Sequence, residues 1–391
     1  MPESLILGSI RGDVKEASLN LSSPSLEAWF NRYQPGAKHQ LGGTMVAPLP
    51  GDRLEALLPA DWSPAMFESG YSSTPGSEVL RAALAADLGL PPDHLILTSG
   101  ATEANSSILL ALLEPGCNIV LQDPLYYQFA GLAAGLGVET RRWTLPADPF
   151  APPDLDALAS LLDAKTRLVV LNTPHNPTGR LLSETMLGDV ARLVEALPET
   201  FLLVDEIYRG VTPDPAPSIV SVTERGIAVN ALSKRWSLPG WRLGWAACAD
   251  ERVAKRVLAW HEHLTCSVSR MSEQMLEWIW PQREALWAEN RAIAERNRAQ
   301  MAQWLPTVSE WAHGVLPAAG VMTLLWPHET QDDMALARRI REEHDCFVVP
   351  GSCLGYPGAL RVGFGHRDAE ALELTLTQLS VALAESVGVP A

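Results

Sequence analysis

Short apolar runs recur along the middle of the chain, at 95–98, 118–121, 167–171, 201–204, 227–231 and 243–248, and each ends in a polar or glycine-bearing loop. Runs of that length without polar alternation mark strands buried on both faces. Stretches of helical spacing lie between them, so the pattern from about 71 to 250 predicts an α/β fold with a parallel sheet covered by helices on both faces. Beyond Asp250 the pattern changes to long helices rich in Trp, Arg and Glu. An apolar stretch at 320–327, a helix over 332–343 and a strand-like run at 346–349 follow. The first 60 residues are broken by Pro24, Pro35, Pro48, Pro50 and Pro59 and by Gly36, Gly42, Gly43 and Gly51, which predicts an irregular arm. The expected layout is an arm at 1–60, a large domain at 61–285 and a small domain at 286–391.

Composition narrows the classes of function. At 391 residues the chain can bury a sizeable core, and with 47% hydrophobic and 19% charged residues it has a globular composition. The formal net charge of −16 argues against a nucleic-acid partner, which needs clustered cations. The five cysteines (Cys117, Cys248, Cys266, Cys346 and Cys353) form no C-x-x-C pair, so neither a disulfide framework nor a thiolate metal site is expected. With no basic leader and no apolar run long enough to span a bilayer, the expectation is a cytoplasmic enzyme without a membrane partner.

Open α/β sheets bind ligands outside the carboxyl ends of their strands, which directs attention to the loops. After the run at 95–98 comes Thr98-Ser99-Gly100-Ala101-Thr102-Glu103-Ala104, a small-residue turn into a helix and a candidate phosphate cradle. Such turns are usually only packing devices. Asp123-Pro124-Leu125-Tyr126-Tyr127 sets an aromatic ring at a strand end, where it could stack on a flat heterocycle. Asn172-Thr173-Pro174-His175-Asn176-Pro177-Thr178-Gly179 is a rigid turn presenting Asn176 as a neutral donor. Asp205-Glu206-Ile207-Tyr208 puts an acid directly after an apolar run, where it needs a cationic partner. Ser233-Lys234 follows another run, with Arg242 eight residues on; the lysine is a candidate amine nucleophile and the arginine a phosphate clamp. A phosphate cup, a stacking ring, a neutral donor, an acid and an amine are together the parts that pyridoxal phosphate (PLP) requires.

On these motifs the chain resembles the class I/II aminotransferases, fold type I of the PLP enzymes, from about Trp29 to Ala384. The resemblance implies a mostly parallel large-domain sheet sandwiched by helices, with a smaller α+β C-terminal domain. It makes Lys234 the Schiff-base lysine, Asp205 the partner of the pyridine nitrogen, Asn176 and Tyr208 partners of the ring oxygen, and Tyr126 the stacking ring. Gly100, Ala101, Thr102, Ser233 and Arg242 become phosphate contacts. Leu360-Arg361-Val362-Gly363-Phe364 resembles the segment whose arginine grips the substrate α-carboxylate, so Arg361 joins Asn176 and Gly43 as expected substrate contacts. Gly70-Tyr71-Ser72-Ser73-Thr74-Pro75-Gly76 resembles a segment that gives a tyrosine to the phosphate of the neighbouring subunit, which implies a homodimer with shared sites, the arm adding dimer contacts. The implied activity is amino transfer from an L-amino acid to a 2-oxo acid.

An alternative comes from the arm. Leu26-Glu27-Ala28-Trp29-Phe30-Asn31-Arg32-Tyr33 and the following 37–43 resemble the opening of the capreomycidine synthases, which act on a hydroxylated arginine by elimination and ring closure. Asp13, Glu16 and Glu27 could meet a guanidinium or simply face water. His261-Glu262-His263 places two histidines on diverging helical faces, a poor shared ligand pair expected at the surface.

Overall fold

The computed structural model describes residues 25–146, 148, 151–212, 216–328 and 332–386. Asp13 and Glu16 lie outside the described residues. A two-residue strand of the arm, β1 (His39–Gln40), precedes a central sheet built from β2 (Leu95–Thr98), β3 (Asn118–Asp123), β4 (Glu139–Thr144), β5 (Thr166–Asn172), β6 (Phe201–Asp205), β7 (Gly226–Ala231) and β8 (Gly244–Cys248). Their order across the sheet is β2-β8-β7-β6-β5-β3-β4. Only β8 runs against its neighbours; the other pairs are parallel.

The uninterrupted apolar runs have a simple cause. Successive side chains of a strand point to opposite faces, and both faces here are covered. Along β5, Leu168 and Val170 enter one core while Val169 and Leu171 enter the other, all four fully buried. β4 was not expected from the sequence. It is an edge strand, Glu139-Thr140-Arg141-Arg142-Trp143-Thr144, in which only Trp143 is buried, and charged side chains are what a strand with one unpaired side carries.

A second, antiparallel sheet uses β9 (Ala312–Gly314), β10 (Met322–Pro327), β12 (Val349–Pro350) and β13 (Leu360–Gly363) in the order β12-β13-β10-β9, with β11 (Cys346–Phe347) pairing parallel to β1. The arm is less irregular than its prolines and glycines suggest. It contains a helix, Ser25–Tyr33, that buries Leu26 and Trp29, and Trp29 Nε1 donates to the Val348 carbonyl at 2.9 Å. Leu26, Trp29 and Leu41 thus belong to the same core as Phe347, Leu360 and Leu379. The expected boundary at 285/286 falls inside the helix Arg283–Trp304. That helix gives Leu286 and Trp287 to the core of the central sheet and Ala294 and Met301 to the second core. Among the described residues no helix is long and apolar enough to cross a membrane.

Candidate active site

β5 ends on Asn172 and β6 on Asp205; β2 turns through Gly100 into the helix Ala101–Leu112, and Lys234 follows the end of β7. These ends meet β13 and the arm around a cavity of about 400 Å³. Ala101, Thr102, Tyr126, Asn176, Asp205, Tyr208, Ser233, Lys234, Arg242 and Arg361 all line it. So do Leu26, Glu27, Phe30 and Thr44 from the arm.

Lys234 Nζ donates to Thr44 Oγ1 at 2.7 Å, and the Tyr208 hydroxyl donates to the same oxygen at 3.2 Å. Burial, and then the neighbouring Arg361 guanidinium, push the lysine amine down to about 8. An amine in that range is partly neutral near neutral pH, which suits a base. Asp205 is 7% exposed. Its Oδ1 accepts from Ile207 N at 3.0 Å and its Oδ2 from Asn105 Nδ2 at 3.4 Å. Burial pushes its carboxyl up to about 6 against those donors. Among the described residues it forms no ion pair, so a buried acid stands at the strand end held only by neutral donors.

Arg361 is 2% exposed. Its Nη1 donates to Asn176 Oδ1 at 3.1 Å and its Nη2 to the Gly42 carbonyl at 2.8 Å, while Nε is buried without a partner. Burial pushes the guanidinium down to about 10. With Asn176 Oδ1 committed to Arg361, the amide nitrogen is the donor that Asn176 has to offer.

The turn before Ala101 is built around glycine. Gly100 has φ +81°, and a Cβ there would stand 2.6 Å from Arg242 Nη2. Ser77, Ser183, Asp250 and Ser269 cap their helices with a side-chain oxygen, whereas Gly100 has none to give. The N–H groups of the first turn therefore lie beside the Arg242 guanidinium without a capping side chain, an arrangement that attracts an anion.

Also lining the cavity, Glu27 Oε1 accepts from the hydroxyls of Tyr126 at 3.1 Å and Tyr127 at 3.2 Å. Burial, reinforced by Tyr127 and Glu27, pushes the Tyr126 phenol far above its usual range. Of the expected residues, Gly100 is present only through its turn, and Tyr71 and Gly43 do not line the cavity. Tyr71 is 93% exposed, and Gly43 is an exposed residue whose carbonyl packs where a Cβ on Gly363 would fall. The surface expectation for the His261 pair fails for one member. His261 is fully buried, because its ring meets Glu103.

Thr44 and Asn105 were missed by the sequence reading. Thr44 lies in a glycine-rich stretch with nothing to single it out. Asn105 did carry a signal, a polar residue inside an apolar helix, 2% exposed in the fold.

Residues 67–376 match the sequence model of the family described as Aminotransferase class I and II. The chain belongs to this family. Capreomycidine synthase of Streptomyces vinaceus is 31% identical over 353 residues, covering 88% of this chain and 90% of that protein. The aspartate aminotransferase of Thermotoga maritima is 27% identical over 321 residues, covering 78% and 82%. Among solved structures, a PLP-dependent aminotransferase from Streptococcus suis superposes with a TM-score of 0.86 at 26% identity, covering 94% of this chain and 98% of that one. The PLP-dependent cyclase OrfR superposes with a TM-score of 0.83 at 26% identity, covering 93% and 98%.

The fold is therefore that of the PLP-dependent aminotransferases of fold type I, and pyridoxal 5'-phosphate is the cofactor. The residues present fit it. A cradle that a Cβ would fill at Gly100, a buried acid that forms no ion pair among the described residues and a buried amine of lowered basicity converge on one cavity.

Proposed function

We propose that this enzyme moves the amino group of an L-amino acid to a 2-oxo acid, with Lys234 carrying the cofactor. The observation that carries the reading is the pairing of a buried amine at about 8 with a guanidinium whose Nε lacks a partner, on one cavity. In this reading Gly100, Ala101, Thr102, Ser233 and Arg242 hold the phosphate and Asp205, backed by Asn105, faces the ring nitrogen. Asn176 and Tyr208 serve the ring oxygen and Tyr126 covers the ring. Bound PLP supplies an electron sink that acidifies the substrate α-C–H. Lys234 Nζ takes the α-proton, oriented by Thr44. Arg361 grips the α-carboxylate as a planar two-pronged donor, satisfying the Nε left open. The 2-oxo acid then uses the same guanidinium, with the proton moving in the reverse direction. Tyr71 completes the phosphate site of a second copy in a homodimer.

A second reading, elimination and ring closure on a hydroxylated basic amino acid, is favoured by Glu27. Among the described residues it is, besides Asp205, the carboxylate that lines the cavity, and it would pair with a cationic side chain. The relative from Streptomyces vinaceus named as capreomycidine synthase supports it. The test is incubation of purified enzyme with aspartate, phenylalanine, arginine and hydroxyarginines, with and without 2-oxoglutarate, followed by mass spectrometry. Amino transfer that depends on the 2-oxo acid is expected. Loss of water from a hydroxyarginine with no amino transfer from any substrate would replace the first reading by the second.

A further inference from the structure

His261 lies on the helix Glu251–Leu264 and is fully buried. Its Nδ1 is 2.6 Å from Glu103 Oε1 and its Nε2 is 2.9 Å from the Thr74 carbonyl oxygen. A backbone carbonyl and a carboxylate only accept hydrogen bonds. A neutral imidazole has one N–H, so it would press a lone pair against one of these oxygens. Glu103 has no proton to spare. Burial pushes its carboxyl up, but hydrogen bonds from His261, Ser99 N and the Thr265 hydroxyl outweigh it and hold the group below the usual carboxylate range.

The two partners belong to two different parts of the phosphate machinery in the reading above. Glu103 sits in the first turn of the helix Ala101–Leu112 and also accepts from Ser99 N, so its carboxylate spans the turn at Gly100. Thr74 lies in the loop that carries Tyr71. That loop is tied down elsewhere too. Glu273, itself fully buried, accepts from the Ser72 hydroxyl and from Ser77 N, and Glu277 accepts from the Ser77 hydroxyl. Three hydrogen bonds to Glu273 and Glu277 thus fix the base of a loop whose tyrosine is 93% exposed in this chain.

We propose that His261 is held as an imidazolium that clasps the turn at Gly100 to the Tyr71 loop, acting as a positioning residue for the cofactor phosphate. Its role toward the phosphate rests on the functional reading above; its charge state does not. Charged groups packed near the same helix act elsewhere. Asp93 pairs with Arg81, Lys255 pairs with Glu251 near the other end, and the His94 ring meets the Cys248 carbonyl. On the helix itself Glu262 and His263 are exposed. Glu103 is the counter-charge.

In a dimer where Tyr71 serves the neighbouring phosphate, His261 sets the spacing between a subunit's own cup and the residue it lends. Removing the negative partner of a buried charge pair strands the other charge, so Glu103→Gln should release the second ring proton as well as the loop.

The test is nitrogen NMR of the holoenzyme labelled with ¹⁵N-histidine, the His261 signals identified by their loss in His261→Gln. At pH 7 both ring nitrogens of His261 are expected to carry protons, and in Glu103→Gln one should lose its proton. If His261→Gln does not fold, the change in Glu103→Gln identifies the signals. In the same Glu103→Gln protein, amide exchange should rise about tenfold at 72–77 and 99–103 together, with exchange in β5 unchanged, and PLP should dissociate about tenfold more readily. A wild-type ring with one bare nitrogen would overturn the clasp. So would unaltered exchange at 72–77 in Glu103→Gln. The ring measurement can be repeated on cofactor-free protein, so a failure of the PLP assignment and a failure of the clasp give different results.

Discussion

Lys234 and Arg235 are consecutive cations after the same strand, and they meet opposite surroundings. Lys234 enters the cavity shared with Asp205, Tyr208 and Arg361. Arg235 borders another cavity of about 400 Å³ with Asn230, Trp245, Glu284 and Trp287, its guanidinium 3.3 Å over the Trp287 ring. Burial pushes both down, Lys234 to about 8 and Arg235 to about 10. Size therefore does not tell the two cavities apart. What distinguishes the first is convergence: groups from five strand ends, the arm and β13 meet there. Arg235 does stand over an aromatic face, an interaction worth about 2 kcal/mol when desolvated, but its Nε, like that of Arg361, is buried without a hydrogen-bond partner, so a missing partner alone does not separate the two.

The comparison can be broken by substitution. Lys234→Ala should show the largest effect, removing both the cofactor attachment and a proton transfer worth about 10²–10⁴-fold on its own. Thermal stability should be kept, since a buried cation is exchanged for a methyl group. Trp287→Ala should show the opposite signature, a loss of about 3–5 kcal/mol in unfolding free energy with cofactor attachment intact. If turnover per folded molecule fell equally in both variants, the contrast between the two cavities would collapse.

Smaller effects sharpen it. Asp205→Asn should lower turnover by about 10²–10³-fold, the cost of losing one preorganised electrostatic group, with little change in cofactor content. Arg361→Lys should weaken substrate use by about ten- to a hundredfold, because a point charge replaces a two-pronged donor. Unchanged apparent affinity for every amino acid would discard the carboxylate role. The mildest prediction concerns pH. With the Lys234 amine at about 8, cofactor-free protein is expected to lose reactivity toward amine reagents at Lys234 as pH falls through 8. Lys255, raised by Glu251, should require a higher pH; labelling of both residues with one pH profile would refute the burial argument.

The parts of this molecule that were legible in the sequence are those in which a local pattern and a local cause coincide. Strands buried on both faces read as apolar runs, and residues that follow several of those runs line the cavity, so Asn176, Asp205 and Lys234 could be picked out as cavity residues without a structure. β4 escaped because an edge strand with one buried side chain has no apolar run. Thr44 escaped because its importance comes from a contact 190 residues away in sequence, to Lys234. His261 was misjudged for a related reason. Helical spacing correctly separated it from His263, but nothing local shows which face is covered, and the covering residue is Glu103 on another helix.

The central claim is that Lys234 carries the cofactor, and the chain has five lysines, Lys15, Lys38, Lys165, Lys234 and Lys255, on which to test it. Borohydride reduction of the holoenzyme, proteolysis and mass mapping of the pyridoxyl group measure this directly. The account predicts the group on Lys234 and its absence from the other four; a pyridoxyl group on any other lysine, with Lys234 unmodified, would contradict it.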